Sequence, residues 1–554
     1  MKIDNNIYQF RLLILLFKEA GLDKSFLLIL LNCLSTILEL FSVTIIFSSL
    51  FDNSNIFLPD ILNKNFEFSL LLFIFAITIR SIIISFIEIK NESLNFLFER
   101  ELRLKFLEKI LYCKYTNLNQ IQRGELLSCS LNEINKIIVA YEQGIRLFQS
   151  LLSILLFLIL LNFYSKEGII VILIAAICTV LASSLKPAKS WELGTFKSKI
   201  STNLHALIGD GLIGLKTIKA YNSENWFLYK LKKQYSDLKF VVYQFIKRNA
   251  IFKLIKDVLI IIFISLWLLL NKGKFDSNQI ALQLYILFRL SNLIGNTIQC
   301  KRTYELFITS FEKFRNVVKT IDFKSTNKNP SLIKKFDLIE KFCWFSNYKC
   351  KENGYSLTIS SPSILAISGP SGKGKTNFLD RLVGIVEPFN SEWDFETANN
   401  HLRFSGEDQL SEVRPFLSYC PQDVILFEGS LIENLLMNSY EEIPKEKKEI
   451  EELISYWFER LNLNYLLKRY KNFDELMGLS IAKLSCGEMK RLGLIRSFLL
   501  DRQIEVYDEP TSSLDNENID NVNQILLERS KSKFIIVATH ESKLLKYAKN
   551  IIRI

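Results

Sequence analysis

The sequence predicts an α-helical polytopic membrane domain of six transmembrane helices, followed by an α/β P-loop nucleotide-binding domain. Three observations predict it. Long apolar runs occur only up to residue 299. A strand–loop–helix phosphate motif lies in the second half. The composition, 49% hydrophobic with 43 Phe yet 23% charged, suits a chain that is part membrane and part soluble. At 554 residues the chain needs more than one domain.

A span needs about 20 apolar residues to cross roughly 30 Å of hydrocarbon. Six runs qualify, at 25–51, 67–89, 146–164, 168–185, 252–271 and 279–299, none broken by proline. The segment before them, residues 1–24, contains an amphipathic stretch from Ile7 to Ala20 that reads as an interfacial helix. Long gaps follow the second and fourth runs. The first of them carries Lys90, Arg100, Arg103, Lys105, Lys109, Lys114, Arg123 and Lys136, whereas the short first loop carries only Lys64. The positive-inside rule puts both long gaps and both termini in the cytosol, although Lys272 and Lys274 run mildly against it. The gaps keep helical periodicity, so they read as spans continuing into the cytosol and turning back.

The net charge of +11 follows from those basic loops rather than from nucleic-acid binding, and no nucleic-acid partner is expected. Nine scattered cysteines without a C-x-x-C pair argue against a zinc site or a disulfide framework. The N-terminus shows no cleavable signal pattern. Within the spans, Glu39, Arg80, Arg289, Asn292 and Asn296 are polar. A membrane charge usually faces the bundle interior or a watery cavity. For Arg289, lining of a pathway, hydrogen bonding between helices and snorkelling to the interface all stay open.

A polar linker, 319–335, separates the membrane domain (25–318) from the second domain (336–554), where short apolar strands alternate with helices. The strand Ser363–Ser368 runs into Gly369, Pro370, Ser371, Gly372, Lys373, Gly374, Lys375 and Thr376, then Asn377 in a helix. This is G-x-x-x-x-G-K-[ST] in its proper setting: backbone N–H groups cradle phosphates, Lys375 reaches the β and γ phosphates, and the Thr376 hydroxyl suits Mg²⁺. Further on, a short strand ends in Asp508 and Glu509. Asp508 is placed to hold Mg²⁺ and Glu509 to orient attacking water.

With these motifs the chain resembles an ATP-binding-cassette exporter half-transporter over nearly its whole length. The segment Tyr419–Asn434 resembles the family's Q-loop, with Gln422 implied to sense Mg²⁺ and the γ-phosphate. Leu484, Ser485, Cys486, Gly487 and Glu488 resemble the L-S-G-G-Q signature, Pro510–Asp515 the D-loop, and Thr539, His540 and Glu541 the H-loop. Tyr348 is the expected adenine-stacking aromatic. Residues 122–132 and 211–221 resemble the loops that hold coupling helices. The resemblance implies ATP and Mg²⁺ as cofactors, and catalytic roles for Lys375, Gln422, Glu509 and His540. It implies a homodimer, or a heterodimer with a second half-transporter, because each ATP site borrows a signature from another subunit. Membrane lipid is an expected partner, and the transported substrate stays open. The expected location is the bacterial inner membrane, with the ATPase domain in the cytoplasm.

Several positions depart from the family pattern. Cys486 replaces a signature glycine, and the expected cost is on the order of 1 kcal/mol where φ is positive or backbones approach closely. The stretch upstream of the signature, 475–481, is eroded, Asn377 replaces a common Thr, and Glu505 charges a normally apolar strand. The chain ends at Ile554 where exporters usually add a strand and helix, and no peptidase-like domain precedes the first run, which disfavours a peptide-processing exporter.

Overall fold

The computed structural model describes residues 2–51, 66–113, 115–118, 121–164, 190–270, 277–321, 338–346, 355–386, 390–406, 409–427, 431–437, 447–469 and 484–554. Tyr348, the run 168–185 and the stretch 475–481 lie outside them. The chain divides into two compact units, Met1–Leu111 with Gln120–Phe323, and Tyr112–Asn119 with Lys324–Ile554.

Among the described residues the first unit is all helix. The N-terminal helix α1 (Lys2–Ala20) buries Leu12, Leu13, Leu16 and Phe17, and Phe17 packs on Tyr141 and Phe148. The interfacial helix expected there is therefore docked on the bundle and belongs to the same unit. Next come α2 (Leu22–Phe51) and α3 (Phe66–Tyr112). At 47 residues α3 is about 70 Å long, more than twice the hydrocarbon thickness. Such length is what a span continuing into water requires.

The short α4 (Tyr115–Leu118) clusters with the second unit. Residues 122–132, expected to carry the first coupling helix, form α5 (Arg123–Ser128) and most of a π-helical turn, Cys129–Glu133, that leads into α6 (Ile134–Tyr164). Then follow α7 (Ser190–Ile213), α8 (Leu215–Ala220), α9 (Glu224–Leu270) and α10 (Ser277–Ile321). The tip around α8 presents Leu212, Ile213, Leu215 and Tyr221 to solvent. Helix α10 continues three residues past the expected domain end at 318. Among the described residues, Ser25–Ile46, Phe66–Tyr112 and Gly124–Ile159 are long and apolar enough to cross a membrane.

Among the described residues the second unit has two sheets. Strands β1 (Ile339–Ser346), β2 (Tyr355–Ile359), β4 (Ser391–Thr397) and β5 (His401–Ser405) form an antiparallel sheet in the order β2-β1-β4-β5. Strands β3 (Ser363–Ser368), β6 (Leu417–Cys420), β7 (Ile504–Asp508), β8 (Phe534–Ala538) and β9 (Asn550–Arg553) form a parallel sheet, β6-β7-β8-β3-β9. Strands β7 and β8 are buried throughout, as parallel strands covered on both faces must be. Ile504, Val506, Leu365 and Ile367 pack into one core with Trp344, Trp393 and Phe395. The other face meets α12 (Lys447–Arg460), α13 (Cys486–Leu500) and α14 (Asn516–Arg529) through Trp457, Phe498, Tyr507 and Ile525.

Glu505, the charge in the middle of β7, is fully buried and ion-paired. Arg529 donates to it from Nε at 3.0 Å and from Nη2 at 2.5 Å, the Tyr507 hydroxyl donates at 2.8 Å, and Lys533 lies 3.4 Å away. Alternation along a strand puts Glu505 and Tyr507 on the same face, which makes that last bond possible.

Candidate active site

The site gathers at the C-terminal ends of β3, β7 and β8. Strand β3 delivers the glycine-rich loop, whose conformation needs its glycines. Gly372 and Gly374 sit at φ +79° and +98°, where an L side chain is strained, and a Cβ on Gly369 would lie 2.3 Å from the Ile554 carbonyl oxygen. Gly374 caps the helix that follows, α11 (Lys375–Leu382), so that helix starts with free N–H groups facing the loop. Pro370, Ser371, Lys373, Thr376 and Asn377 are exposed around it.

Lys375 is buried to 6% exposure and donates to the carbonyls of Gly369 (2.9 Å) and Pro370 (3.4 Å) and to His540 Nε2 (2.7 Å). A ring nitrogen that accepts from an ammonium carries no proton, so the approach of His540 Nε2 to Glu509 Oε1 at 3.5 Å is a contact rather than an ion pair. The Thr376 hydroxyl donates to Asp508 Oδ2 at 2.7 Å. Gln422 Nε2 donates to Glu509 Oε2 at 3.3 Å, and Glu509 Oε1 lies 4.0 Å from Lys375 Nζ. Glu509 holds φ at +44°, a strained value for a non-glycine, and its N–H donates to the Ala538 carbonyl at 2.9 Å. Six residues spread from 375 to 540 thus meet in one place.

Burial pushes the Asp508 carboxyl above the ordinary aspartate range, and the neighbouring Glu509 charge adds to this against the Thr376 hydrogen bond. Asp508 Oδ1 is buried with no hydrogen-bond partner among the described residues. A carboxylate with one orphan oxygen beside a hydroxyl is a hard-oxygen donor pair, the chemistry Mg²⁺ takes. The residues present therefore fit the ion.

Lys490, on α13, carries a role that the motifs did not suggest. It is 3% exposed and donates to the carbonyls of Pro421 (3.1 Å), Gln422 (3.0 Å) and Asp508 (3.1 Å). One ammonium thus fixes the backbone of the glutamine loop to the end of β7. Burial lowers its pKa. Its signal in the sequence is a lysine one helical turn after Cys486, at the start of the inward-facing run that continues with Leu492, Leu494 and Ile495.

The signature residues satisfy one another. Ser485 caps α13 in a reciprocal capping box: its Oγ accepts from Glu488 N at 3.3 Å, and Glu488 Oε2 accepts from Ser485 N at 2.6 Å. The Tyr465 hydroxyl donates to the other Glu488 oxygen. Cys486 is exposed, is the first helical residue and is not in the left-handed region. The conformational cost expected for a side chain there is therefore absent. A Cβ on Gly487 would lie 3.1 Å from the Ser513 carbonyl oxygen. Asp515 caps α14, accepting from Asn518 N at 3.0 Å. Among the described residues, no hydrogen bond or ion pair links Ser485, Gly487, Glu488 or Asp515 to the cluster around Lys375.

Residues 24–293 match the family described as ABC transporter transmembrane region, and residues 353–512 match the family described as ABC transporter. The lactococcin-G-processing and transport ATP-binding protein LagD of Lactococcus lactis subsp. lactis is 24% identical over 63% of this chain and 50% of its own length. The transport/processing ATP-binding protein ComA of Streptococcus pneumoniae is 24% identical over 61% of this chain and 46% of its own. The chain therefore spans half or less of these relatives. The glutathione/L-cysteine transport system ATP-binding/permease protein CydC of Escherichia coli is 30% identical over 34% of this chain and 30% of its own. A solved bacterial Atm1-family ABC exporter with ATP bound shares the fold, with a TM-score of 0.74, 14% identity, and coverage of 97% of this chain and 93% of that one. The transmembrane match and the apolar helices make this an integral membrane protein.

Proposed function

We propose, from the premise that this chain belongs to the ABC transporter family as an exporter-type half-transporter, a transmembrane region fused to one nucleotide-binding domain, that it is an ATP-hydrolysing primary active transporter working as a homodimer or heterodimer. Its membrane is the bacterial inner membrane and its ATPase domain faces the cytoplasm. The single observation that carries the reading is the convergence of Lys375, Thr376, Gln422, Asp508, Glu509 and His540.

Each residue has a task that its geometry supports. The glycine-rich loop and the helix start offer N–H groups to phosphate oxygens, and Lys375 adds a positive charge above them. Thr376 and Asp508 would hold Mg²⁺, which when bound neutralises phosphate charge. Glu509 is the general base for the attacking water. The Gln422 amide and the strained backbone hold its carboxylate in place. His540, neutral at Nε2, is free to exchange its Lys375 partner for a γ-phosphate oxygen by moving a proton between ring nitrogens. Each chain brings one phosphate loop and one signature, so a complete site takes Ser485, Gly487 and Glu488 from a second subunit. The cycle then follows from linkage: closure is favoured only as far as ATP binds the closed state better.

Replacing Glu509 by Gln keeps the shape and removes the base. ATP hydrolysis by the purified chain in nanodiscs should fall at least about 100-fold while nucleotide binding persists. A variant that keeps a tenth of the activity would sink the assignment.

A second reading, a partly degenerate subunit of a heterodimer, rests on Cys486. Because the residue sits in ordinary helical geometry, any penalty must come from crowding at the site it would complete in another subunit. Cys486→Gly should then raise turnover several-fold in the same assay, and an unchanged rate would remove the basis for this reading.

A further inference from the structure

The membrane unit holds a cavity of ≈ 510 Å³ between α2, α3, α6 and α10. That volume lies within the roughly 300–1,000 Å³ of small-molecule sites. Its charged lining is Glu39, Arg80, Arg146 and Arg289, with Asn296 beside them. Glu39 Oε2 accepts from Arg80 Nη2 at 2.8 Å and from Arg289 Nη2 at 3.0 Å, and Tyr285 donates to Oε1 at 3.3 Å. Arg146 is matched by Glu142 at 2.6 Å. Among the described residues Glu39 is thus shared by two guanidiniums, and one positive charge is left over.

An uncompensated charge at this depth is expensive, and one arginine would suffice to neutralise Glu39. Each guanidinium has five N–H donors, and Arg80 Nε is buried with no hydrogen-bond partner among the described residues. Ile84, Phe157 and Leu293 form an apolar wall of the same cavity. We infer that the cavity binds an organic anion, a phosphate or carboxylate on an apolar body, with Arg80 and Arg289 as its receptors. The inference rests on the transporter reading and names the substrate class for it. Planar guanidiniums bind both groups in two-pronged fashion. Glu39 holds the two arginines apart and competes with the incoming anion.

The test is equilibrium binding to the full chain in phosphatidylcholine nanodiscs without nucleotide. The probes are dodecyl phosphate, dodecyl maltoside and dodecyltrimethylammonium, which share one tail. The phosphate should bind at least tenfold tighter than the other two. Arg80→Gln and Arg289→Gln should each weaken it tenfold or more, Arg289→Lys less, and Glu39→Gln should tighten it. Equal affinity for the three headgroups, or phosphate affinity untouched by both arginine changes, would overturn the inference. If the arginine variants do not fold, the headgroup comparison on the unaltered chain decides. Phosphatidylglycerol added to the disc competes if the anion is a bilayer lipid and does not if it is a soluble compound. Since nucleotide is absent, a failure here leaves the Glu509→Gln result standing, and the converse also holds.

Discussion

Two clusters in this chain start from the same parts, one buried glutamate between two basic side chains, and end differently. In the nucleotide-binding unit, Glu505 meets Arg529 and Lys533, and Asp501 joins from the rim at 3.0 Å from Arg529 and 2.6 Å from Lys533. Two acids meet two bases, and the Arg529 guanidinium lies 5.3 Å from the Trp457 ring centre and 5.0 Å from that of Phe498. In the membrane unit, Glu39 meets Arg80 and Arg289, and among the described residues no second acid closes the set; the arginine side chains are 26% and 36% exposed to a cavity. A closed cluster fastens β7 to α14. An open one keeps donors and a charge for something else. The difference lies in the fourth partner and in access, not in the pair itself.

The largest effect should come from breaking the closed cluster. Glu505→Gln leaves two buried cations with one rim carboxylate, and removing one partner of a buried pair costs about 3–5 kcal/mol. The nucleotide-binding unit should melt roughly 6–20 °C lower, read from the thermal unfolding of the purified chain. Replacing Glu505 and Arg529 together by Leu and Met should recover much of the loss, because paired apolar residues need no solvation. A melting point within 2 °C (~0.5–1 kcal/mol) for the single variant would show the cluster to be wetter than its zero exposure implies.

Glu39→Gln sharpens the other side. The same deletion in the open cluster should cost less than Glu505→Gln does, since both arginines already reach a polar cavity and an amide still accepts one hydrogen bond. A loss as large as that of Glu505→Gln would mean that Glu39 is a helix clamp first, holding α2, α3 and α10, and a recognition element second.

The sequence shows one member of the closed cluster and all three charges of the open one, and hides how they pair. Glu505 stands out as a charge in an apolar strand, and Glu39, Arg80 and Arg289 as charges in apolar spans. Their pairing spans 41 residues for Arg80, 250 for Arg289 and 24 for Arg529, and only the fold decides which of many charges meet. The phosphate loop and the Asp508–Glu509 pair can be read because phosphate chemistry demands fixed residue types at short spacing, whereas His540 comes from the family resemblance. Lys490 cannot be read, because its three acceptors are backbone carbonyls, which have no residue signature. The membrane and α/β fold classes were legible because hydrophobic run length and period follow directly from the bilayer and from pairing. Unit membership was less so. Helix α1 reads as a separate interfacial piece until Phe17 is seen against Tyr141, and α4 reads as part of the membrane domain until it groups with the nucleotide-binding unit.

The smallest effect belongs to the residue that closes the closed cluster. Burial alone would raise the Asp501 carboxyl, but Lys533 and Arg529 outweigh it and hold the group below the ordinary aspartate range. A depressed folded-state pKa gives stability that is present above the unfolded value of about 3.9 and lost as pH falls through the folded value. The side chain is 70% exposed, so water screens it and the contribution stays near the surface-pair scale of about 0.2–1 kcal/mol. Asp501→Asn should therefore lower the melting point by about 1–3 °C, equally at every pH from about 5 to 8, with the gap closing below about 4. A gap that grew toward acid pH would mean that Asp501 acts through its helix-end backbone geometry, at φ +48°, rather than through its charge. The closed cluster would then carry an excess cation too, and charge balance could no longer separate it from the open one.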